Sequence, residues 1–339
     1  MQKNHLHIYK NWEGIKMNQK DIVKKLETLL PWNPMEVPSV IPQGDMPGDK
    51  IEIGEGHIVK ANVIFPEVLA QVKEVLEKNP HGRAVLTVCG GSGVGKSEIA
   101  SLLSYFFNQS GIGSYTLSGD NYPHRIPKYN DAERLHIFRE SAIRGMVKAG
   151  DFSAEHFEKV QQWQREEDDA NPVYAKEYPW YASYLTAGKA GLEGYLGTEN
   201  EINFKEVEDI VKAFKEGAEK IWLKRMGRDE TALWYDEVDF SDKQILIIEW
   251  THGNSDNYQG VDIPILLNST PQETLAHRRA RNRDGKTDSA FTMMVLEIEQ
   301  NMLQRQAKKA KIILSKNGEL LTYDAYCKLM EESEATSNE

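Results

Sequence analysis

The sequence predicts an α/β fold, a parallel sheet covered by helices on both faces, with an N-terminal appendage and a mostly helical insertion. Two apolar, β-prone runs, AVLTV at 84–88 and ILII at 245–248, read as strands buried on both faces. Helical patterns alternate with these and later strands, as parallel pairing requires. A third observation sets the insertion apart. Residues 151–240 hold 21 acidic against 11 basic side chains and four of the seven tryptophans, Trp163, Trp180, Trp222 and Trp234.

The appendage is assigned to residues 1–82. A helix is expected at 19–30, then the proline-rich connector PWNPMEVPSVIPQGDMPG. KIEIGEGHIVKANVIF alternates and carries a glycine turn, which predicts a β-hairpin, and a helix is expected near Glu67 to Lys78. The core comprises 83–150 and 241–330. After the strand at 84–88 comes a helix with Ile99, Leu102, Leu103 and Phe106 at helical spacing. A second strand ends at Gly119 and Asp120, and a helix covers 132–149. The stretch 151–240 is too long for one connection and reads as a helical insertion, a candidate substrate or lid element. Beyond it come strands at 245–248 and 261–268, a helix from Glu273, a long helix at about 291–309, the strand KIILS and a last helix.

Between the first strand and its helix lies CGGSGVGKSEIA, 89–100. It satisfies G-x-x-x-x-G-K-[ST] with Gly90, Gly95, Lys96 and Ser97. Glycines let the backbone N–H groups converge on phosphate oxygens, and the helix N-terminus adds partial positive charge. Gly91, Ser92, Gly93, Val94, Gly95, Lys96 and Ser97 are therefore the expected cradle for ATP. Lys96 would reach the β- and γ-phosphates, and the Ser97 hydroxyl would ligate Mg²⁺. The sheet is thus expected to be of the P-loop NTPase type.

Phosphoryl transfer further needs a base for the acceptor hydroxyl, carboxylates near Mg²⁺ and cations for the migrating charge. Ligands of open α/β sheets bind beyond the carboxyl ends of the strands. Asp120, ending the second strand, is the expected general base and a metal-shell carboxylate. Glu249, ending ILIIE, is expected at Mg²⁺. Arg278, Arg279, Arg281 and Arg283 in RRARNRDGKTD form an expected lid, with Arg279 and Arg283 on the transferred phosphoryl and Arg278 and Arg281 on ATP. Tyr122, His124, Arg125 and His252 are candidate substrate contacts. The aromatics Tyr174, Tyr178, Trp180, Tyr181 and Tyr184 either stack on a substrate or pack the insertion, and packing is the stronger reading.

The chain's other features narrow the class. A net charge of −11 argues against nucleic acid or an anionic membrane as partner. Two cysteines give no disulfide framework, the first residues lack the apolar core of a signal peptide, and no run approaches a membrane span, so a cytoplasmic protein is expected. There is no C-x-x-C pair or H-E-x-x-H for zinc, no G-x-S-x-G elbow, and no guanine-reading Asn-Lys-x-Asp. The expected partner is a small-molecule hydroxyl acceptor, with a homodimer left open.

GGSGVGKS, SGDNY, ILIIEW and RRARNRD in this order resemble the phosphoribulokinase/uridine kinase family of P-loop kinases, over about 83–150 and 243–315. The resemblance implies Asp120 as base, Ser97 and Glu249 at Mg²⁺, and the arginines on ATP. Uridine kinases carry an aromatic pair after the Asp, where this chain has Asn121 and Tyr122, and a Gly after the Glu, where it has Trp250. GDNYPH, 119–124, also resembles adenylylsulfate kinases. Either resemblance implies ATP-dependent phosphorylation of a hydroxyl on a nucleoside, sugar or related metabolite. A nucleotide-driven switch acting on a protein partner is the reading from another class.

Overall fold

A computed structural model of the chain describes residues 19–270, 272–276 and 289–337. Its centre is a six-stranded sheet in the order β2-β5-β1-β6-β7-β8. These strands are β1 (Ala84–Gly90), β2 (Ser114–Ser118), β5 (Ile245–Glu249), β6 (Ile263–Leu267), β7 (Ile312–Leu314) and β8 (Leu320–Leu321). All pairs are parallel except β7–β8, a short antiparallel edge the sequence did not announce. The α/β fold with helices on both faces is as expected.

The strands alternate their side chains between two apolar layers, as a pleated backbone must. Leu86, Val88, Ile245, Ile247, Ile263 and Ile265 join one buried cluster with Ile22 and Leu26 of α1 (Gln19–Thr28), with α2 (Glu55–Lys78) and with α3 (Lys96–Gln109). On the other face Val85, Leu117, Leu246 and Ile248 meet α7 (Phe204–Lys215) and the hairpin of β3 (Lys220–Met226) and β4 (Leu233–Asp239). Cys89, Leu266 and Ile313 meet Leu303 of α8 (Ala290–Gln306) and Tyr326 and Met330 of α9 (Tyr323–Ser337).

The hairpin expected at 50–65 is not there. Ile51 and Ile53 precede a single helix, α2, whose Ala61, Ile64, Phe65, Val68, Leu69, Val72 and Leu76 are all buried. That spacing of three and four is helical. The alternation and the glycine turn suggested strands, whereas the apolar spacing from Ala61 onward runs through Pro66, which sits inside the helix. Phe65 packs edge-on against Trp32, Phe106 and Phe107, at centroid distances of 4.5, 5.2 and 4.9 Å. Residues before the first strand therefore share the central core.

The insertion is only partly helical. It carries α5 (Ala154–Arg165), α6 (Tyr181–Glu193) and α7, then β3 (Lys220–Met226) paired antiparallel with β4 (Leu233–Asp239). The helical reading gave way to strands because KIWLKRM and LWYDEVD are rich in β-branched and aromatic residues on either side of a polar turn. α6 lies flush on α4 (Pro127–Ala149): a Cβ on Gly145 would come within 2.1 Å of Ala187 Cβ, and one on Gly188 within 2.5 Å of the Phe138 ring.

Trp163, Tyr181 and Tyr184 are buried in a third cluster with Phe138 and with Met294 and Ile298 of α8. Trp163 stacks on Tyr174 at 4.1 Å, and both Tyr181 and Tyr184 hydroxyls bond Asp169. These aromatics pack the insertion, as the stronger sequence reading had it.

Phe65→Ala should destabilise the whole sheet domain by about 3–5 kcal/mol, the usual cost of deleting a fully buried phenyl ring. A single cooperative urea transition shifted by that amount would agree. A separate, earlier transition of the N-terminal segment would show that it folds apart from the sheet.

Candidate active site

The loop at 91–95 leaves β1 and enters α3. Gly93 and Gly95 have φ of 78° and 96°, a region that L side chains rarely adopt. A Cβ on Gly90 would lie 2.6 Å from the Leu267 carbonyl oxygen, so the loop's first glycine is also needed for close approach to β6. Val94 is turned inward against the core. Lys96 Nζ donates to the Gly91 carbonyl at 3.0 Å, curling the ammonium over the loop.

The strand register brings the loop and two strand ends to one carboxylate. Val88 of β1 and Ser118 of β2 both stand opposite Glu249. Ser118 Oγ donates to Glu249 Oε1 at 2.6 Å, and Ser97 Oγ donates to Oε2 at 3.1 Å. Burial pushes the Glu249 carboxyl up to about 8; the charge of Asp120 adds to this, and the two serine hydroxyls and Lys96 oppose it. Ser97, Lys96, Asp120 and Glu249, expected from motif and strand-end position, thus fall within reach of one another's hydrogen bonds or charges.

Asp120 is exposed, in the single 3₁₀ turn Gly119–Asn121 that follows β2, so β2 ends at Ser118, before the expected Gly119–Asp120 end. Gly119 lies on the Trp250 indole, 2.1 Å from where a Cβ would stand. Trp250 therefore forms the floor of this turn.

The other candidates divide. Tyr122 is fully buried, its ring packed with Val85, Leu117 and Trp250, because the turn after Asp120 sends it into the sheet face; it offers no surface to a substrate. His124 is exposed and its Nε2 bonds the Glu199 carbonyl at 2.9 Å. Arg125 donates to the Tyr195 hydroxyl at 2.9 Å and pairs with Glu133 at 3.3 Å. His252 is buried beside Trp250 and Phe204. Arg278, Arg279, Arg281 and Arg283 lie outside the described residues.

Sequence reading missed a second set of charges on this side. Glu201, fully buried, accepts Arg134 Nε at 2.5 Å, Asn130 Nδ2 at 2.9 Å and the Gly197 N–H at 2.6 Å. Its carboxyl stays below the usual range: burial works to raise it, and Arg134 and these donors overcome that. Glu299 of α8 faces a small cavity lined also by Gly91, Ser92 and Gln300, and burial raises its pKa. The charges of Lys96, Asp120, Arg134 and Glu201 all act on Glu299. No local motif marks these residues; only the fold brings them to the loop.

Hard oxygen donors at Ser97, Glu249 and Asp120 suit Mg²⁺, which keeps several waters and binds substrate phosphates alongside one or two carboxylates. Among the described residues no three His, Cys, Asp or Glu side chains are grouped as a metal cage. No described helix is long and apolar enough to cross a membrane.

No protein-family profile matches the chain. It is 37% identical over 248 residues to the bifunctional α-galactosidase/sucrose kinase AgaSK of Mediterraneibacter gnavus. That match covers 73% of this chain and 22% of the relative, so the chain spans about a fifth of the enzyme it resembles. A structure named as a candidate fructose transport system kinase from Silicibacter sp. TM1040 superposes with a TM-score of 0.41 at 15% identity, covering 71% of this chain and 93% of the other. One named as a possible uridine kinase from Bacillus stearothermophilus gives 0.33 at 15% identity, covering 73% and 98%. The chain has a mostly parallel central sheet flanked by helices, with the G-x-x-x-x-G-K-S loop between its first strand and the helix that follows.

His252 gives the site a pH signature. Burial pushes its pKa down from 6.5 to about 4, with Arg134 and Lys96 adding and Glu201 opposing. The unfolded chain takes up this proton as pH falls below about 6.5, while the folded chain resists until about 4, so stability is full above that window and lost within it. His252→Gln should therefore flatten the loss between pH 6.5 and 4 by about 3 kcal/mol, read by urea unfolding across that range. A variant as acid-sensitive as the wild type would contradict a buried neutral imidazole.

Proposed function

We propose that the chain is an ATP-dependent kinase that phosphorylates a hydroxyl group of a neutral sugar. The observation that carries the proposal is the convergence of Ser97, Ser118 and Asp120 on Glu249 at the mouth of the phosphate loop. The sucrose kinase named in the AgaSK relative supports a sugar as acceptor.

The loop N–H groups and Lys96 would bind the phosphates of ATP at the N-terminus of α3. Ser97, Glu249 and Asp120 are the residues that would hold Mg²⁺, which when bound neutralises charge on the phosphates. Asp120 accepts the proton of the acceptor hydroxyl; the hydroxyl oxygen forms a bond to the γ-phosphorus as the bond from that phosphorus to the β-bridging oxygen breaks and ADP leaves.

The charge around the loop selects among acceptors. Among the described residues Lys96 and Arg134 face Asp120, Glu201, Glu249 and Glu299. With the Glu249 carboxyl held up to about 8, these charges come close to balance at neutral pH and offer no excess of cations to a dianionic acceptor such as adenylylsulfate. A neutral polyol needs no such excess, and one of its hydroxyls can donate to the exposed Asp120 carboxylate.

The test supplies γ-labelled ATP and Mg²⁺ with sucrose, fructose, other neutral sugars, nucleosides and adenylylsulfate. Label is expected in a sugar phosphate, and Asp120→Asn should lower kcat by about 10²–10⁴-fold with little change in ATP affinity. Label in adenylylsulfate would overturn the acceptor class. Free phosphate alone, formed with or without acceptors, would point to a nucleotide-driven switch. Near-normal turnover in Asp120→Asn would remove that residue as base.

A further inference from the structure

Asp45 lies between α1 and α2, distant in sequence from every residue of the proposed chemistry, yet its carboxylate supports the turn that carries Asp120. Its side chain is 8% exposed, and its two oxygens face different partners. Oδ1 accepts the Ser118 N–H at 2.7 Å and Asn121 Nδ2 at 3.2 Å. Oδ2 accepts the Tyr115 hydroxyl at 2.9 Å and Arg225 Nη1 at 2.9 Å. One oxygen therefore grips the residues that bracket Gly119 and Asp120, while the other is tied to β2 and β3.

Arg225 is equally constrained. Its Nη2 donates to the Tyr115 hydroxyl at 2.9 Å, and its Nε donates to Asp236 Oδ2 of β4 at 3.1 Å. The next residue on β3, Met226, donates its N–H to Asn121 Oδ1 at 2.9 Å. The turn is thus held by the 31–54 segment and by the hairpin, and rests on the Trp250 indole below. A buried ion pair adds little net stability over an apolar pair, whereas its directional bonds fix geometry. Burial raises the Asp45 carboxyl to about 6 against the pull of Arg225, so at neutral pH the four donors meet an ionised acceptor.

We propose that Asp45 and Arg225 are positioning residues that aim Asp120 at the acceptor hydroxyl, clamping its turn between the N-terminal segment and the hairpin. The inference rests on the reading of Asp120 as the general base. It explains why a kinase core would keep two polypeptide segments that supply nothing to the phosphate loop itself.

The test uses Asp45→Asn, which keeps the shape but replaces an acceptor oxygen with a donor. Wild-type transfer is measured first; its absence would overturn the kinase reading itself. With transfer established, Asp45→Asn is expected to lower kcat by about 10–100-fold, the scale of an ångström-sized misplacement, while ATP affinity and sugar KM stay within about 2-fold. In an Asp120→Asn background the same substitution should add almost no further loss, because it acts through Asp120. Unchanged kcat, or an equal loss in both backgrounds, would overturn the proposal. Should Asp45→Asn fail to fold, Tyr115→Phe removes one donor from the same carboxylate, and the same pair of outcomes decides.

Discussion

The Glu249 carboxylate is the constraint on which the site's geometry turns. Its two oxygens are bonded to Ser97 at the start of α3 and to Ser118 at the end of β2, while its backbone sits between β1 and β2 in the sheet. A buried carboxylate is unfavourable unless donors or cations meet it. Three strand ends and a helix start are consequently drawn together at the edge where open α/β sheets bind ligands. The glycine loop, Lys96 and the Asp120 turn all occupy that edge.

A second layer holds the first in place. Arg83, buried near the opposite end of β1, donates to the carbonyls of Phe214, Ala218 and Phe240 at 2.7–2.8 Å, fixing α7 and the segments flanking the hairpin to the sheet. The hairpin so anchored carries Arg225 to Asp45. The acidic composition of 151–240 serves partly inward: Glu201 and Asp169 are buried and meet Arg134 and Arg139 of α4.

What the sequence made legible was local. The phosphate loop, the buried runs at 84–88 and 245–248, and the carboxylates after the second strand and at the end of ILIIE could be placed by motif and by the strand-end rule. α2 was misread because the alternating residues of KIEIGEGHIVKANVIF resembled strands and its glycines a hairpin turn. β3 and β4 were hidden within an acidic segment judged by composition. Asp45 had no local signal at all: its partners Tyr115 and Arg225 stand 70 and 180 residues away. Glu201 pairs with Arg134 across 67 residues and was equally silent. Tyr122 followed Asp120 as a plausible substrate contact, but the tightness of a three-residue turn sent its ring into the core.

The central claim is that a sugar hydroxyl meets Asp120 at the mouth of the loop. A crystal structure with a non-hydrolysable ATP analogue, Mg²⁺ and the sugar that accepts phosphate tests it most directly. The account predicts phosphates on the 91–97 loop and one sugar hydroxyl within about 3 Å of the Asp120 carboxylate, hydrogen-bond reach for a general base. A sugar seated instead on the Trp163–Tyr174 stack, or an Asp120 turned away from it, would contradict the account.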